Sequence, residues 1–165
     1  GDLASSTSGT SNFRAGVNAG NSIASGGNYN TVVGDEAGTA ITTGDQNTFV
    51  GYASGDAETT GGENTAVGYG SLGSDTTGSR ATAVGRNALA TQNLTAELNS
   101  YNTAFGWSAG EAVTTGIRNT LIGGSAGDAL TDADYNTALG YAALGADTKG
   151  SRSVAIGYQA LMTQN

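Results

Sequence analysis

The sequence repeats one short phrase from end to end, and this periodicity restricts the fold more than any other feature. Clear copies read Asn-Thr, two apolar residues and Gly, at 64–68, 102–106, 119–123 and 136–140. The closing glycines of all copies are Gly16, Gly34, Gly51, Gly68, Gly85, Gly106, Gly123, Gly140 and Gly157. Six of the eight intervals are 17 residues, and the other two are 18 and 21. Short units repeated in this way stack on one another, which predicts a solenoid.

Aligned columns within the repeat predict a strand that is apolar on both faces. Three residues before the glycine most copies have Thr, and one residue before it they have an aliphatic or aromatic residue; these two positions share one face. The alternate position is also apolar, at Val32, Phe49, Ala66, Ala83, Ala104, Leu121, Ala138 and Ala155. Such strands are typical of covered parallel sheets. We therefore expect one face to fill the coil and the other to pack against neighbouring chains around a shared axis.

The remainder of each coil predicts corners and a second short strand. The fourth residue after the closing glycine is Gly in some coils, such as Gly38, and Leu in others, such as Leu72. Most Gly coils add an aliphatic residue three positions later, as at Ile41, whereas two Leu coils have Asp75 and Asp147 there. Each such coil is thus expected to contribute one extra aliphatic side chain from one of two places. Frequent Gly, Thr and Asn disfavour helix everywhere except in an insertion around residues 94–98.

These patterns predict one repeat domain over residues 12–165, preceded by a linker or frayed N-terminal entry over residues 1–11. About nine 17-residue coils make an all-β parallel solenoid, with about 4.8 Å between successive coils. A longer repeat of 72 residues relates residues 30–101 to residues 102–165, where the second copy is truncated. We therefore expect the chain to be a segment of a longer protein.

Composition argues against several functional classes. The 165 residues contain no His and no Cys, which removes the commonest general base, the thiol nucleophile and the usual zinc ligands. We expect no catalytic residues, no cofactor and no metal site, and hence no enzyme. The formal net charge is −8 and the six basic residues are scattered, so nucleic-acid binding is not expected. No apolar run approaches the roughly 18 residues of a membrane helix, so no membrane insertion is expected.

The repeat resembles the head repeats of YadA-like trimeric autotransporter adhesins. The phrases that carry the resemblance are Ser153-Val154-Ala155-Ile156-Gly157-Tyr158 and Asn64-Thr65-Ala66-Val67-Gly68-Tyr69. With their Thr-Thr-Gly spacers, these repeats also look like those of trimeric bacteriophage tail fibres. The resemblance implies a left-handed parallel β-roll, assembled as a homotrimer and displayed at a surface.

The resemblance predicts a structural and adhesive function. We expect a segment of a trimeric fibre on a virion or phage-tail-like particle, taking part in host attachment. The alternative is the head domain of a bacterial trimeric autotransporter adhesin, at the bacterial cell surface. An ice- or glycan-binding solenoid, with the Thr column as the ligand array, is a further alternative.

Candidate contact residues follow the closing glycine and are aromatic in five coils: Tyr52, Tyr69, Trp107, Tyr141 and Tyr158. These aromatic side chains have two open interpretations: a platform for a host cell-surface glycan or protein, or a ladder that stacks coil on coil. Gly34, Gly51, Gly68, Gly85, Gly106, Gly123, Gly140 and Gly157 are assigned a structural role in the repeat. The insertion at residues 94–101 predicts either a separate contact site or an offset between bundled rods.

Acidic residues also have two interpretations. The set is Asp35, Glu36, Asp56, Glu58, Glu63, Asp128, Asp132 and Asp134. Clustered carboxylates favour calcium, but neither an EF-hand loop nor a glycine-rich calcium-binding nonapeptide is present. The favoured interpretation is that these acids keep a repetitive β surface soluble and prevent edge-to-edge aggregation.

Overall fold

The chain forms a parallel β-solenoid, one three-residue strand to a coil. The computed structural model describes residues 3–4 and 8–162, and for residues 3–4 the backbone alone. The strands are β1 Leu3–Ala4, β2 Phe13–Ala15, β3 Thr31–Val33, β4 Thr48–Val50, β5 Thr65–Val67, β6 Thr82–Val84, β7 Thr103–Phe105, β8 Thr120–Ile122, β9 Thr137–Leu139 and β10 Val154–Ile156. They form a single sheet in sequence order. From β2 to β10 all pairing is parallel, which makes about eight turns.

The N-terminal end differs from the rest of the stack. Strand β1 pairs with β2 in the antiparallel sense, with Leu3 opposite Ala15. Part of the predicted entry is therefore hydrogen-bonded to the first coil. The rest of that segment, residues 1–2 and 5–7, lies outside the described residues, as do residues 163–165 of the second 72-residue repeat.

The register of the sheet confirms the predicted division of the strand into two faces. Residues in the same column pair with each other throughout, as Thr48 pairs with Thr65 and Phe49 with Ala66. From β3 to β10 the central residue of each strand is buried inside the coil, whereas its two neighbours are half-buried or exposed. The central column is therefore the core-facing one.

Glycine at the corner after each strand is required by the backbone. From Gly16 to Gly157 the corner glycines have φ between +121° and +145°, a range that L residues rarely adopt. The corners also stack closely, because a Cβ on Gly68 would lie 2.5 Å from the carbonyl oxygen of Gly85. Each corner glycine up to Gly140 has the next one as this neighbour, so the column is one close-packed edge.

The fourth residue after the closing glycine is Gly in some coils and Leu in others for a steric reason. Leu72 and Gly38 have the same backbone conformation, with φ of +52° and +53°. A Cβ on Gly38 would lie 2.7 Å from Cδ1 of Ile41, so Ile41 occupies the space that the Leu side chain fills in its own coils. This result confirms the predicted compensation. Gly55 is a variant, because the ring of Phe49 fills the space there.

The one helical candidate did not form a helix, and one expectation for local structure was wrong. No helix forms among the described residues, and residues 95–97 are a bend. Leu94 is buried and is the hydrophobic anchor of this insertion. The expected second strand is absent, since the other sides of each described coil consist of turns and bends, with one isolated parallel bridge between Ser79 and Asn99. Backbone hydrogen bonds still join those turns, as when Thr42 N–H donates to Thr59 O at 2.9 Å and Thr59 N–H to Thr76 O at 2.8 Å.

Buried asparagines join successive coils through their side chains. Asn47 Oδ1 accepts from the N–H of Asn64 at 3.0 Å, and Asn47 Nδ2 donates to Gly61 O at 3.0 Å. The Asn47 side chain thus satisfies one donor of the next coil and one acceptor of the corner. The same backbone N–H to Oδ1 bond is formed by the side chains of Asn12, Asn30, Asn64, Asn102, Asn119 and Asn136. We call this column the asparagine ladder.

Replacing Asn47 with Ala will destabilise the protein. The change leaves the Asn64 N–H and the Gly61 carbonyl buried without these partners, at a cost of roughly 2–5 kcal/mol. Urea denaturation followed by circular dichroism measures the loss. The matched control is Asn21→Ala, since Asn21 is exposed. Equal stability of the two variants would contradict a structural role for the ladder.

Candidate functional site

The outward face of the sheet exposes a column of apolar side chains. Its second column becomes more exposed toward the C-terminal coils, with Phe105 57%, Ile122 37%, Leu139 45% and Ile156 66% exposed. The Thr column lies beside it and is half-buried from β3 to β9. Contiguous apolar patches of this kind mark association surfaces. We call it the outer sheet face.

The predicted aromatic residues border this face but do not form one continuous stack. Two neighbouring pairs are stacked: the ring centroids of Tyr52 and Tyr69 are 5.4 Å apart, and those of Tyr141 and Tyr158 are 5.6 Å apart. Trp107 lies between the pairs and is 55% exposed. The guanidinium of Arg86 extends the first pair, with Cζ 5.3 Å from the centroid of Tyr69. The structure thus brings the five residues to one edge, as two stacked pairs and a separate indole.

A second exposed column lies on the other side of the strands and was missed from the sequence. It precedes the asparagine ladder by one residue and contains Arg80, Tyr101, Arg118, Tyr135 and Arg152. All five have positive φ, between +50° and +62°. We call it the Arg–Tyr ladder. In the sequence this column lies five residues before the closing glycine of each coil.

The insertion is anchored to the coil beneath it and exposes its tip. Thr77 Oγ1 donates to Leu94 O at 2.7 Å, and Ser79 N–H donates to Leu98 O at 3.0 Å. The residues at 95–98 are exposed. Both sequence interpretations of this segment are compatible with that placement.

The interpretation of the acidic residues as a solubilising surface is wrong for Glu58. Its side chain is fully buried and occupies the slot that Ile41 fills in an earlier coil. Among the described residues, no cluster of three or more acidic side chains is arranged to hold a metal ion. Asp56 and Asp128 are half-buried, and desolvation raises the pKa of each carboxyl, reinforced by Glu36 and Glu111 respectively.

Glu58 belongs to a buried polar segment of the core that spans three coils. Glu58 Oε1 accepts from the N–H of Gly61 at 2.7 Å. The next two residues in its column are Asp75 and Gln92, both fully buried, and Gln92 Nε2 donates to Asp75 Oδ2 at 2.5 Å. Burial is the main cause that raises the pKa of Glu58 to about 8, and the nearby Asp75 carboxylate adds to it.

Comparisons with known proteins do not assign a function to this chain. No family model matches the chain, and searches of curated proteins and solved structures find no significant match. Within the part of the chain that the structure describes, no helix is long and apolar enough to cross a membrane.

Stability will fall as pH rises from about 4.5 to about 8, because of Glu58. Its folded pKa of about 8 exceeds the ordinary value of 4.5, so in this window the native state binds more protons than the unfolded state. The stability that the protonated Glu58 carboxyl contributes is fully present below the unfolded pKa and is lost as the pH rises through the folded pKa. Urea denaturation at pH 5 and pH 9 measures this decrease.

Glu58→Gln will reduce that pH dependence, because the neutral amide cannot ionise in the core. Glu97→Gln removes the same charge from the exposed insertion and will leave the pH dependence unchanged. If Glu58→Gln and Glu97→Gln both showed the same pH dependence of stability as the natural protein, Glu58 would not be the source of that dependence.

Proposed function

We propose that this chain is a structural and adhesive segment of a homotrimeric surface fibre, on a virion or phage-tail-like particle, that takes part in host attachment. The outer sheet face is the observation that carries the proposal. A solenoid acting as a single chain needs a polar outer surface on its sheet, whereas here Phe105, Leu139 and Ile156 are each 45% or more exposed. Two further copies of the chain would remove this apolar surface from water.

The shape suits a rigid spacer. Parallel strands from β2 to β10 follow one another in unbroken register, and nine strands at about 4.8 Å spacing extend over about 38 Å. Packing three such rods along their sheets through cyclic contacts around one axis produces a closed assembly. The number of three and the left-handed coil come from the resemblance to YadA-like heads and trimeric tail fibres.

The exposed aromatic edge supports the adhesive part of the proposal. Tyr52, Tyr69, Trp107, Tyr141 and Tyr158 are all more than half exposed. Aromatic side chains combine a large apolar surface with polar atoms that remain in water, which suits them to contact with glycans or proteins. Residues outside the axis would thus meet the host surface while the sheets hold the fibre together.

Lysine on the outer sheet face will dissociate the assembly. The double variant Ile122→Lys, Leu139→Lys places two charges per chain, on adjacent strands β8 and β9, where the proposal buries apolar side chains. Light scattering coupled to size-exclusion chromatography will give three times the 16.2 kDa chain mass for the natural protein and the mass of a single chain for the variant.

The matched control is Thr115→Lys, which adds a charge at an exposed turn outside the sheet and will keep the trimer mass. A single-chain mass for the natural protein would contradict the proposed assembly, as would a trimer that survives both charges.

A further inference from the structure

We infer that the Arg–Tyr ladder is a binding site for a linear anionic polysaccharide. This inference rests on the proposed role in host attachment and adds a ligand class and a site that differs from the Tyr52 edge. The ladder consists of Arg80, Tyr101, Arg118, Tyr135 and Arg152. Its side chains are all exposed, and they alternate between a guanidinium and a phenol along five successive coils.

The backbone conformation makes large side chains at these positions noteworthy. All five ladder residues have φ between +50° and +62°, where glycine avoids the strain that other residues incur. The chain has 28 glycines, yet none occupies this column from Tyr29 to Arg152. The left-handed conformation is thus combined with long polar or aromatic side chains, which indicates that the side chains themselves have a role.

The guanidinium groups are held in place by the tyrosine rings. Arg118 Cζ lies 5.9 Å from the ring centroid of Tyr101 and 5.3 Å from that of Tyr135, and Arg118 Nη1 donates to the Tyr135 hydroxyl at 2.8 Å. Arg80 and Arg152 cover the remaining ring faces, at 5.8 Å from Tyr101 and 5.5 Å from Tyr135. The ordered side chains lose less conformational entropy when a ligand binds.

Two of the three guanidinium groups keep an uncompensated charge. Arg80 is paired with Glu63, its Nε 2.9 Å from Oε2. Within the described residues, Arg118 and Arg152 form no such pair with a carboxylate. Both forks therefore retain N–H groups that can donate to an anion.

The acids nearest in sequence are already engaged. Asp134 Oδ1 accepts from the N–H of Ile117 at 2.8 Å. Asp132 Oδ2 lies 4.0 Å from Lys149 Nζ. Both carboxylates are therefore bound to groups outside the ladder, and neither pairs with Arg118 or Arg152.

The arrangement favours a sparsely charged chain with oxygen acceptors. Arg118 and Arg152 are two coils apart, which is about 9.5 Å. A polysaccharide with a carboxylate or sulfate on every second sugar has charges at a spacing of this order. Arginine forks bind such groups through paired hydrogen bonds, and the Tyr135 hydroxyl between them adds a polar contact for the sugar.

The same arrangement is unsuited to nucleic acid. Single strands bind by stacking bases on free aromatic faces, but arginines cover both faces of Tyr101 and Tyr135. Phosphate at every residue also calls for a dense cationic surface, whereas this chain has a net charge of −8.

Binding to immobilised hyaluronan, which has one carboxylate on every second sugar, tests the inference at low ionic strength, with uncharged dextran and single-stranded poly-dT as the other probes. We expect the natural protein to bind hyaluronan and neither of the others. Arg118→Gln, Arg152→Gln will weaken binding at least roughly tenfold, since each substitution removes a charged hydrogen-bonding group. Arg118→Lys, Arg152→Lys keeps the charge without the planar fork and will give intermediate affinity.

The matched control is Arg86→Gln, because Arg86 is also exposed and also covers a tyrosine ring, that of Tyr69. Its affinity will stay within about twofold of the natural protein, as expected for a charge outside the binding site. Thermal unfolding of each variant checks that the fold is retained.

Absence of hyaluronan binding would overturn the inference, and so would an equal loss in Arg86→Gln. Tighter, ladder-dependent binding of poly-dT would identify a nucleic-acid site instead. The chain mass measured on the same samples separates these outcomes from failure of the trimer proposal: a trimer that does not bind contradicts the ligand site alone, and a monomer contradicts the assembly.

Discussion

The asparagine ladder is the interaction on which the rest of the structure depends. A strand of three residues contributes few hydrogen bonds, so strand pairing alone holds each coil weakly in register. The buried amide of Asn47 adds a bond to the next coil and another to a corner carbonyl, in a core where an unpaired polar group is costly. Each ladder asparagine up to Asn119 accepts from one coil and binds a corner carbonyl, so register passes between these coils. The ladder is interrupted at Ala81, and there the Asn102 N–H donates to Ser100 Oγ instead. The columns of exposed side chains exist only because that register is kept.

Sterics at the corners then decide which residues each column tolerates. A Cβ on Gly68 has no room against the next corner, and the Gly38 position exchanges with Leu according to whether Ile41 or its equivalent fills the same space. The interior slot that Ile41 fills with an apolar side chain holds a polar one at Glu58. The slot receives two buried carboxylates and an amide in succession, and the backbone N–H of Gly61 and the side chain of Gln92 satisfy part of their polarity. The result is a pH-sensitive middle segment in an otherwise aliphatic core.

Sequence periodicity was sufficient for the strands, their parallel register and the inward central column, because a period of 17 with a conserved pattern of apolar positions leaves few ways to stack. It was insufficient where the outcome depended on contacts between coils. Glu58 was assigned to the surface by its charge, although its column contains Ile41. The Arg–Tyr ladder was missed because its column, five residues before the closing glycine, changes residue type along the chain, from Gln46 and Glu63 to Arg80. Residues 94–98, the one helical candidate, are not helical, since Leu94 is buried in the core and the Ser79 N–H donates to Leu98 O.

Amide hydrogen exchange by NMR tests the central role of the ladder most directly. Five backbone N–H groups donate hydrogen bonds to ladder side chains, those of Asn30, Asn47, Asn64, Asn119 and Asn136. They should exchange last and together, at the free energy of global unfolding. Exchange of these groups at the rate of the exposed turns, with slow exchange confined to the strands, would show that strand pairing and not the asparagine ladder holds the coils in register.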